Sequence, residues 1–439
     1  MKKIDITITN NNQNKLLSQD SDYVLKTIYD KNNKTKLTKE ELIYLYDVYN
    51  EHINRPISEI VIIDEIISTR NIYEDMAIIF DCEASEVTCN CRDVISNPDK
   101  YVVLLSDFEI KSREEVQNIQ GITSRLKYIS GSTCDFVDNS YGYNCNHSIF
   151  ISNIIAIGGS LTCEISKKIY LPNLKTVRYD FDIRIAEDVS SLTSLEHVGG
   201  KLCAGWLEKS DGLNNLKHVG SLKLTSLKEV NNLSNLEVID NDIELHVQSS
   251  QGLDKLRYIG GSAYFNYLTD ARSLTDLEYI GSSASFLNLE DAKGLDNLKY
   301  IGGQAYFYKL KNASALTSLI YIGREAHFEQ LKSSIGLEKL AYIGEYAHFN
   351  SLLDTCGLSN LRIVGNSIFL DSLTSAKGLE NIKYIDFLSN IANLFELGPL
   401  ANINYCRFPN DVDTSLTMSD LDKLKTRKLV LPYYRDHKK

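Results

Sequence analysis

GLDKLRYIGGSAYFNYLTDAR, residues 252–272, is the stretch whose spacing decides the fold. Its apolar positions are Leu253, Leu256, Ile259, Ala263, Phe265, Leu268 and Ala271, mostly three apart, with a step of two across Ala263-Tyr264-Phe265. A spacing of three describes tight arcs and a spacing of two describes a strand. Gly260-Gly261 interrupts any amphipathic helix, so the unit reads as one short strand joined by turns.

Outward from this unit the frame repeats. Tyr258-Ile259, Tyr279-Ile280, Tyr300-Ile301, Tyr321-Ile322, Tyr342-Ile343, Ile363-Val364 and Tyr384-Ile385 follow at 21-residue steps. Looser copies precede them at Tyr128-Ile129, Ala156-Ile157, Thr176-Val177, His197-Val198, His218-Val219 and Val238-Ile239, and residues 400–405 form a degraded last unit. This predicts a solenoid of about fourteen coils of 20–21 residues. One such coil buries too little apolar surface to offset the entropy of ordering its backbone, so each coil depends on its neighbours.

Leu373-Thr374-Ser375-Ala376-Lys377-Gly378-Leu379 and the phrase Leu-x-x-Ile-Gly-Gly resemble the leucine-rich-repeat-like, receptor-L-domain-like arrays of uncharacterised bacterial proteins. The resemblance covers most of residues 121–405. It extends to residues 37–46, Arg70-Asn71 and 74–82, which are similar to the short helical domain preceding such arrays. It implies a mainly β, right-handed leucine-rich-repeat-like solenoid and no particular reaction. The short Ala-x-Phe strand departs from the LxxLxLxxNxL pattern and no asparagine ladder is evident, which favours a flat coil over a regular horseshoe.

Three regions are expected: an acidic, mixed helical cap over residues 1–120, the solenoid over 121–409, and a C-terminal cap with a basic tail over 410–439. Thr38 with Glu41 makes a capping box, predicting a helix over 38–52. Pro56 followed by Ile62, Ile63, Ile66 and Ile67 predicts another over 58–69, and a third is expected over 14–29. The apolar runs 76–80 and 101–105 read as strands docking on the first coil, because an open solenoid end must be covered. Ser419 with Asp422 starts a short C-terminal capping helix.

Composition narrows the function. The 439 residues, 43% hydrophobic with only six prolines, suit a folded chain. No apolar run reaches the roughly 18 residues of a membrane span. Met1–Asn10 lacks a secretory apolar segment, and nine scattered cysteines fit a reducing compartment, so a cytoplasmic location is expected. Residues 1–120 carry 22 acidic against 14 basic side chains, most of the net charge of −11. Basic residues cluster only in the tail from Lys423, so nucleic acid is not the expected partner.

Motifs for chemistry are sparse. Cys82, Cys89 and Cys91 form the one cysteine cluster; a fourth ligand could come from His52 or a remote Cys134, but Cys-x6-Cys-x-Cys is not a recognised zinc spacing. Cys91-Arg92-Asp93 echoes the Cys-x-Asp of effector ubiquitin ligases that carry leucine-rich repeats, at the wrong end of the array. No phosphate loop, HExxH, GxSxG or EF-hand loop occurs. No cofactor or catalytic residue is therefore assigned.

The most informative feature is the column between the inward Ala and Phe of each coil: Tyr264, Ser285, Tyr306, His327, His348 and Phe369. The next outward position adds Asn266, Leu287, Tyr308, Glu329, Asn350 and Asp371. Tyr264, Tyr306, Tyr308, His327 and His348 would lie on one outward ribbon, either a recognition surface or a ladder that packs on itself. His327 beside His348 offers two metal ligands. These features point to a protein-binding scaffold. The alternatives are an effector-type enzyme with a Cys82 or Cys91 nucleophile in the N-terminal region, and carbohydrate binding by the ribbon.

Overall fold

The computed structural model describes residues 21–32, 35–48, 57–97, 100–109, 125–135, 153–163, 167–373, 377–389 and 404–405. All seven apolar positions of the 252–272 unit are at most 1% exposed. Their equivalents in the other coils merge into one continuous core that runs from Val94 to Ile385. The three-residue spacing is realised as successive tight turns: Leu253 N–H donates to Ser250 O, Leu256 to Leu253 O and Leu268 to Phe265 O, at 3.0–3.1 Å. Each turn swings one apolar side chain inward.

A coil holds two short strands where the sequence reading had one. In the 252–272 unit they are Tyr258–Ile259 and Ala263–Tyr264. Each pairs in parallel with its copy one coil on, Tyr258 with Tyr279 and Ala263 with Ala284. The bend at Gly260-Gly261 divides them. Where the bend relaxes into a register shift, the two fuse into one seven-residue strand, as in His197–Cys203 and Ile363–Phe369. The molecule is thus a mainly β parallel solenoid, with eleven turns of about 21 residues between Ala156 and Tyr384. The outer copies at Tyr128–Ile129 and Asn404–Tyr405 also join the ladder, so the expected copies pair as rungs. Val87–Thr88 and Val103–Leu104 extend the ladder further towards the N terminus.

Glycine at the bend is required by close approach. A Cβ on Gly302 would sit 2.0 Å from Gly281 O, and the same contact recurs at Gly281, Gly323, Gly344 and Gly365. The second residue of the bend is freer, since Gly261 and Gly303 alternate with Ser282 and Arg324.

The true period is two coils. Gly252, Gly294, Gly336 and Gly378 adopt φ of 100–105°, whereas Ser273, Ala315 and Gly357 in the intervening coils do not. Backbone bridges Ser249–Asp270, Asp291–Asn312 and Ser333–Asp354 follow the same alternation. So do the ion pairs Glu196–Lys217, Glu237–Arg257 and Glu278–Lys299, at 2.6–3.0 Å. Opposite charges in adjacent rungs attract where like charges would repel.

An asparagine ladder, absent from the sequence reading, is partly present. The side-chain amides of Asn215, Asn235, Asn297, Asn360 and Asn381 donate to backbone carbonyls of the preceding coil at 2.6–2.7 Å. Lys255, Asp276, Ser318 and Lys339 interrupt it at the equivalent places, which hides it in the sequence.

Among the described residues, four α-helices precede the first ladder strand, Val87–Thr88: α1 (Ser21–Asn32), α2 (Lys39–Tyr46), α3 (Ile57–Ser68) and α4 (Ile72–Phe80). The capping box of Thr38 and Glu41 starts α2, which ends at Asp47 in the left-handed region (φ 47°), earlier than expected. The expected strand at 76–80 is instead the end of α4. Asn71 caps that helix, Glu74 and Asp75 favour its first turn, and Met76, Ile79 and Phe80 share a buried face. Asp75, 2% exposed, accepts two bonds from Arg70 and one from Tyr46 Oη at 2.6–2.7 Å. The helices form a second core with Val102, Val103, Tyr128 and Ala156, and so cover the first rungs. Phe80 stacks on Tyr128 with centroids 5.2 Å apart. No helix among the described residues is long and apolar enough to cross a membrane. His52, the Ser419 helix and the basic tail lie outside the described residues.

Candidate functional site

The ribbon lies on the second strand of successive coils. Because residues alternate sides, Phe307, Phe328 and Phe349 point into the core at 0% exposure while Tyr306, His327 and His348 point out. Parallel pairing in strict register sets Tyr306 beside His327 and His327 beside His348. Their rings stack: Tyr306 on His327 at 5.2 Å, His327 on His348 at 4.6 Å and His348 on Phe369 at 4.6 Å, with interplanar angles of 4–18°.

Two expectations about this column need correction. It is not uniformly solvent-facing: Ser285 and His327 are only 7% and 8% exposed. Ser285 is small and its hydroxyl donates to Asn266 Oδ1 at 2.5 Å, while His327 is sandwiched between neighbouring rings and flanked by carboxylates. Nor is the column continuous, since Ser285 separates Tyr264 from the stack that starts at Tyr306. Tyr264 and Tyr308 remain exposed, at 39% and 38%. Tyr267, which sequence reasoning did not single out, is more exposed still and leans on His246 at 4.8 Å.

His327 is the electrostatic centre of the ribbon. Glu329 Oε1 lies 2.7 Å from its Nδ1 and Glu325 Oε2 lies 3.0 Å from its Nε2. Burial by itself pushes this imidazole down, but the hydrogen bonds and charges of Glu329 and Glu325 outweigh it and hold the pKa above the ordinary value. Burial, with the charge on His327, pushes His348 the other way. Glu325 was missed in the sequence although it follows from the two-residue alternation that placed Glu329. Tyr308 packs on His327 at 4.8 Å, and Tyr306 Oη bonds to Gln304.

The structure brings His327, Glu329 and His348 together, with one ligand atom of each within 4.8 Å of the others. It does not do this for the cysteines: among the described residues, Cys82, Cys89 and Cys91 belong to no such group. Cys82 is half-buried and Cys89 exposed. Burial, reinforced by Glu86, pushes the Cys82 thiol up, opposite to the activation a nucleophile needs.

No family model and no curated protein matches the chain. Among solved structures it is similar to the one titled "Crystal structure of TLR13-ssRNA13 complex", at a TM-score of 0.27 and 13% sequence identity, covering 70% of this chain. The chain spans little more than half of that one, 56% of its length. The solenoid assignment rests on the parallel ladder itself.

Proposed function

We propose that the chain is a protein-binding scaffold whose partner docks on the aromatic ribbon of the second strand column. The supporting observation is the juxtaposition of exposed Tyr308 with a stacked, carboxylate-flanked platform, with exposed Tyr264 two coils along the same column, on coils whose core positions are otherwise nearly identical. Tyrosine supplies large, rigid contact area at small entropic cost and is enriched where proteins recognise one another. A regular solenoid needs no such variety on its outer face.

The test is capture from a lysate of the source cells by the full chain, beside a Tyr264→Ala, Tyr306→Ala, Tyr308→Ala variant shown by circular dichroism to be folded. A specific partner held by the intact chain and lost by the variant carries the proposal. Equal capture by both overturns it and moves attention to the helical region. A cysteine enzyme centred on Cys82 or Cys91 has less support, because among the described residues neither thiol is hydrogen-bonded to an imidazole and that of Cys82 is pushed up.

A further inference from the structure

We propose that His327, Glu329 and His348 form a binding site for a divalent transition-metal ion of the zinc type on the outer face of the solenoid. Two histidines one coil apart would make a weak site. The fold adds a third ligand that coil spacing alone does not suggest, because Glu329 stands two residues on from His327, in the turn just past the strand, and reaches back to its ring. The three ligand atoms lie within 4.8 Å of one another. Two imidazoles and a carboxylate are a nitrogen and oxygen donor set suited to zinc, with a further position left for water or an incoming group.

Three independent features point to an ion. First, Glu329 Oε2 is screened from solvent and has no hydrogen-bond partner. Second, the His348 ring makes no hydrogen bond among the described residues and is held by ring contacts alone, stacked on His327 and Phe369 and tilted against Tyr346. Parallel imidazoles direct their lone pairs side by side, so a shared ion requires one ring to swing about its Cβ–Cγ bond. His348 can do this without breaking a hydrogen bond. Third, Glu325 sits 3.0 Å from His327 Nε2, on the far side of the ring from Glu329. With an ion on Nδ1, Nε2–H donates to Glu325, the outer carboxylate that commonly orients a metal-binding histidine.

The backbone beneath is already ordered. His327 and His348 are paired residues of adjacent parallel strands, and Phe328 N–H donates to His348 O at 2.9 Å. Elsewhere in the column the equivalent pairs are Tyr264 with Ser285, Ser285 with Tyr306 and His348 with Phe369, none of which supplies two imidazoles. Among the described residues no second group of this kind converges.

The experiment is calorimetric titration of the EDTA-stripped full chain with ZnCl2, alongside Co2+, whose visible spectrum reports coordination geometry. One equivalent is expected to bind, with affinity about 100-fold lower or lost in His348→Ala and in Glu329→Gln. Glu325→Gln, a positioning change, should weaken it by about 10–100-fold, while Trp206→Ala, an exposed ring outside both the ribbon and the ligand set, leaves it unchanged. Circular dichroism confirms that each variant folds. Absence of saturable binding overturns the proposal, as does binding that His348→Ala and Glu329→Gln leave intact, which would place the ion elsewhere. No partner is present in the titration, so its result is separate from that of the ribbon.

Discussion

Two aromatic columns run along the same coils, six residues apart, and they are built differently. The first, Tyr258, Tyr279, Tyr300, Tyr321 and Tyr342, is one residue type throughout, with centroids 4.6–4.9 Å apart and planes within 1–3°. The second changes from Tyr306 to His327, His348 and Phe369, with angles up to 18° and carboxylates on both sides of His327. Burial pushes Tyr279 in the first column up to about 12, so its phenol stays neutral at ordinary pH. Both columns stack because the parallel ladder repeats the same position at every rung. Stacking is therefore the default of this architecture, and function is to be sought where repetition is broken.

The largest effect should come from disturbing the spacing beneath the first column. Gly302→Ala places a Cβ against Gly281 O and is expected to cost about 3 kcal/mol, seen as a fall in thermal midpoint. Gly303→Ser sets its Cβ 2.9 Å from the Ser282 carbonyl carbon, a milder conflict than 2.0 Å, and is expected to cost about 1 kcal/mol. Equal losses in the two would show that the bend, and not coil contact, selects glycine.

A smaller effect tests where the first column itself changes composition, at His197 and His218. Burial, with the charges on His218 and Lys217 adding to it, pushes His197 down to about 3, and its Nδ1 is screened from solvent without a hydrogen-bond partner. The unfolded chain then takes up a proton near the ordinary value of 6.5 that the folded chain refuses. Stability is fully present above that pH and declines as pH falls towards 3, by about 1–2 kcal/mol at pH 5. His197→Tyr, which keeps an aromatic ring but removes the imidazole, should flatten this slope in denaturant titrations at several pH values. An unchanged slope would assign the acid sensitivity to other groups.

The smallest effect concerns the charge alternation beside the first column. Lys299→Met removes the pair with Glu278 and should cost about 0.5 kcal/mol at low salt, vanishing in 1 M salt. A cost that persists at high salt would mean that the lysine stem, rather than its charge, supports the rung.

The repeat frame was legible because every unit reuses the same inward positions: Leu253, Phe265 and Leu268 recur with little change and all are buried. The capping box of Thr38 and Glu41 was legible for a local reason, since both partners lie within one helical turn. The run 76–80 was not, because a short apolar stretch fits a strand or a helix face until its cap and neighbours are seen. The first strand of each coil is not legible in the sequence because Tyr258–Ile259 is only two residues long and its pairing partner is 21 residues away. The two-coil period escaped for a related reason: Gly357 is glycine like Gly336 but does not share its positive φ.

At the ribbon, the chain alone placed His327 and His348 in one column, since a fixed repeat dictates which residues become neighbours. It could not show that Ser285 and His327 are covered, that Glu325 and Glu329 reach His327 from opposite sides, or that Glu329 and His348 converge with it. Residue spacing determines register and inward or outward direction, which are properties of backbone periodicity. Ring tilt, carboxylate reach and burial depend on the side chains of the adjoining coils, and those meet only after stacking.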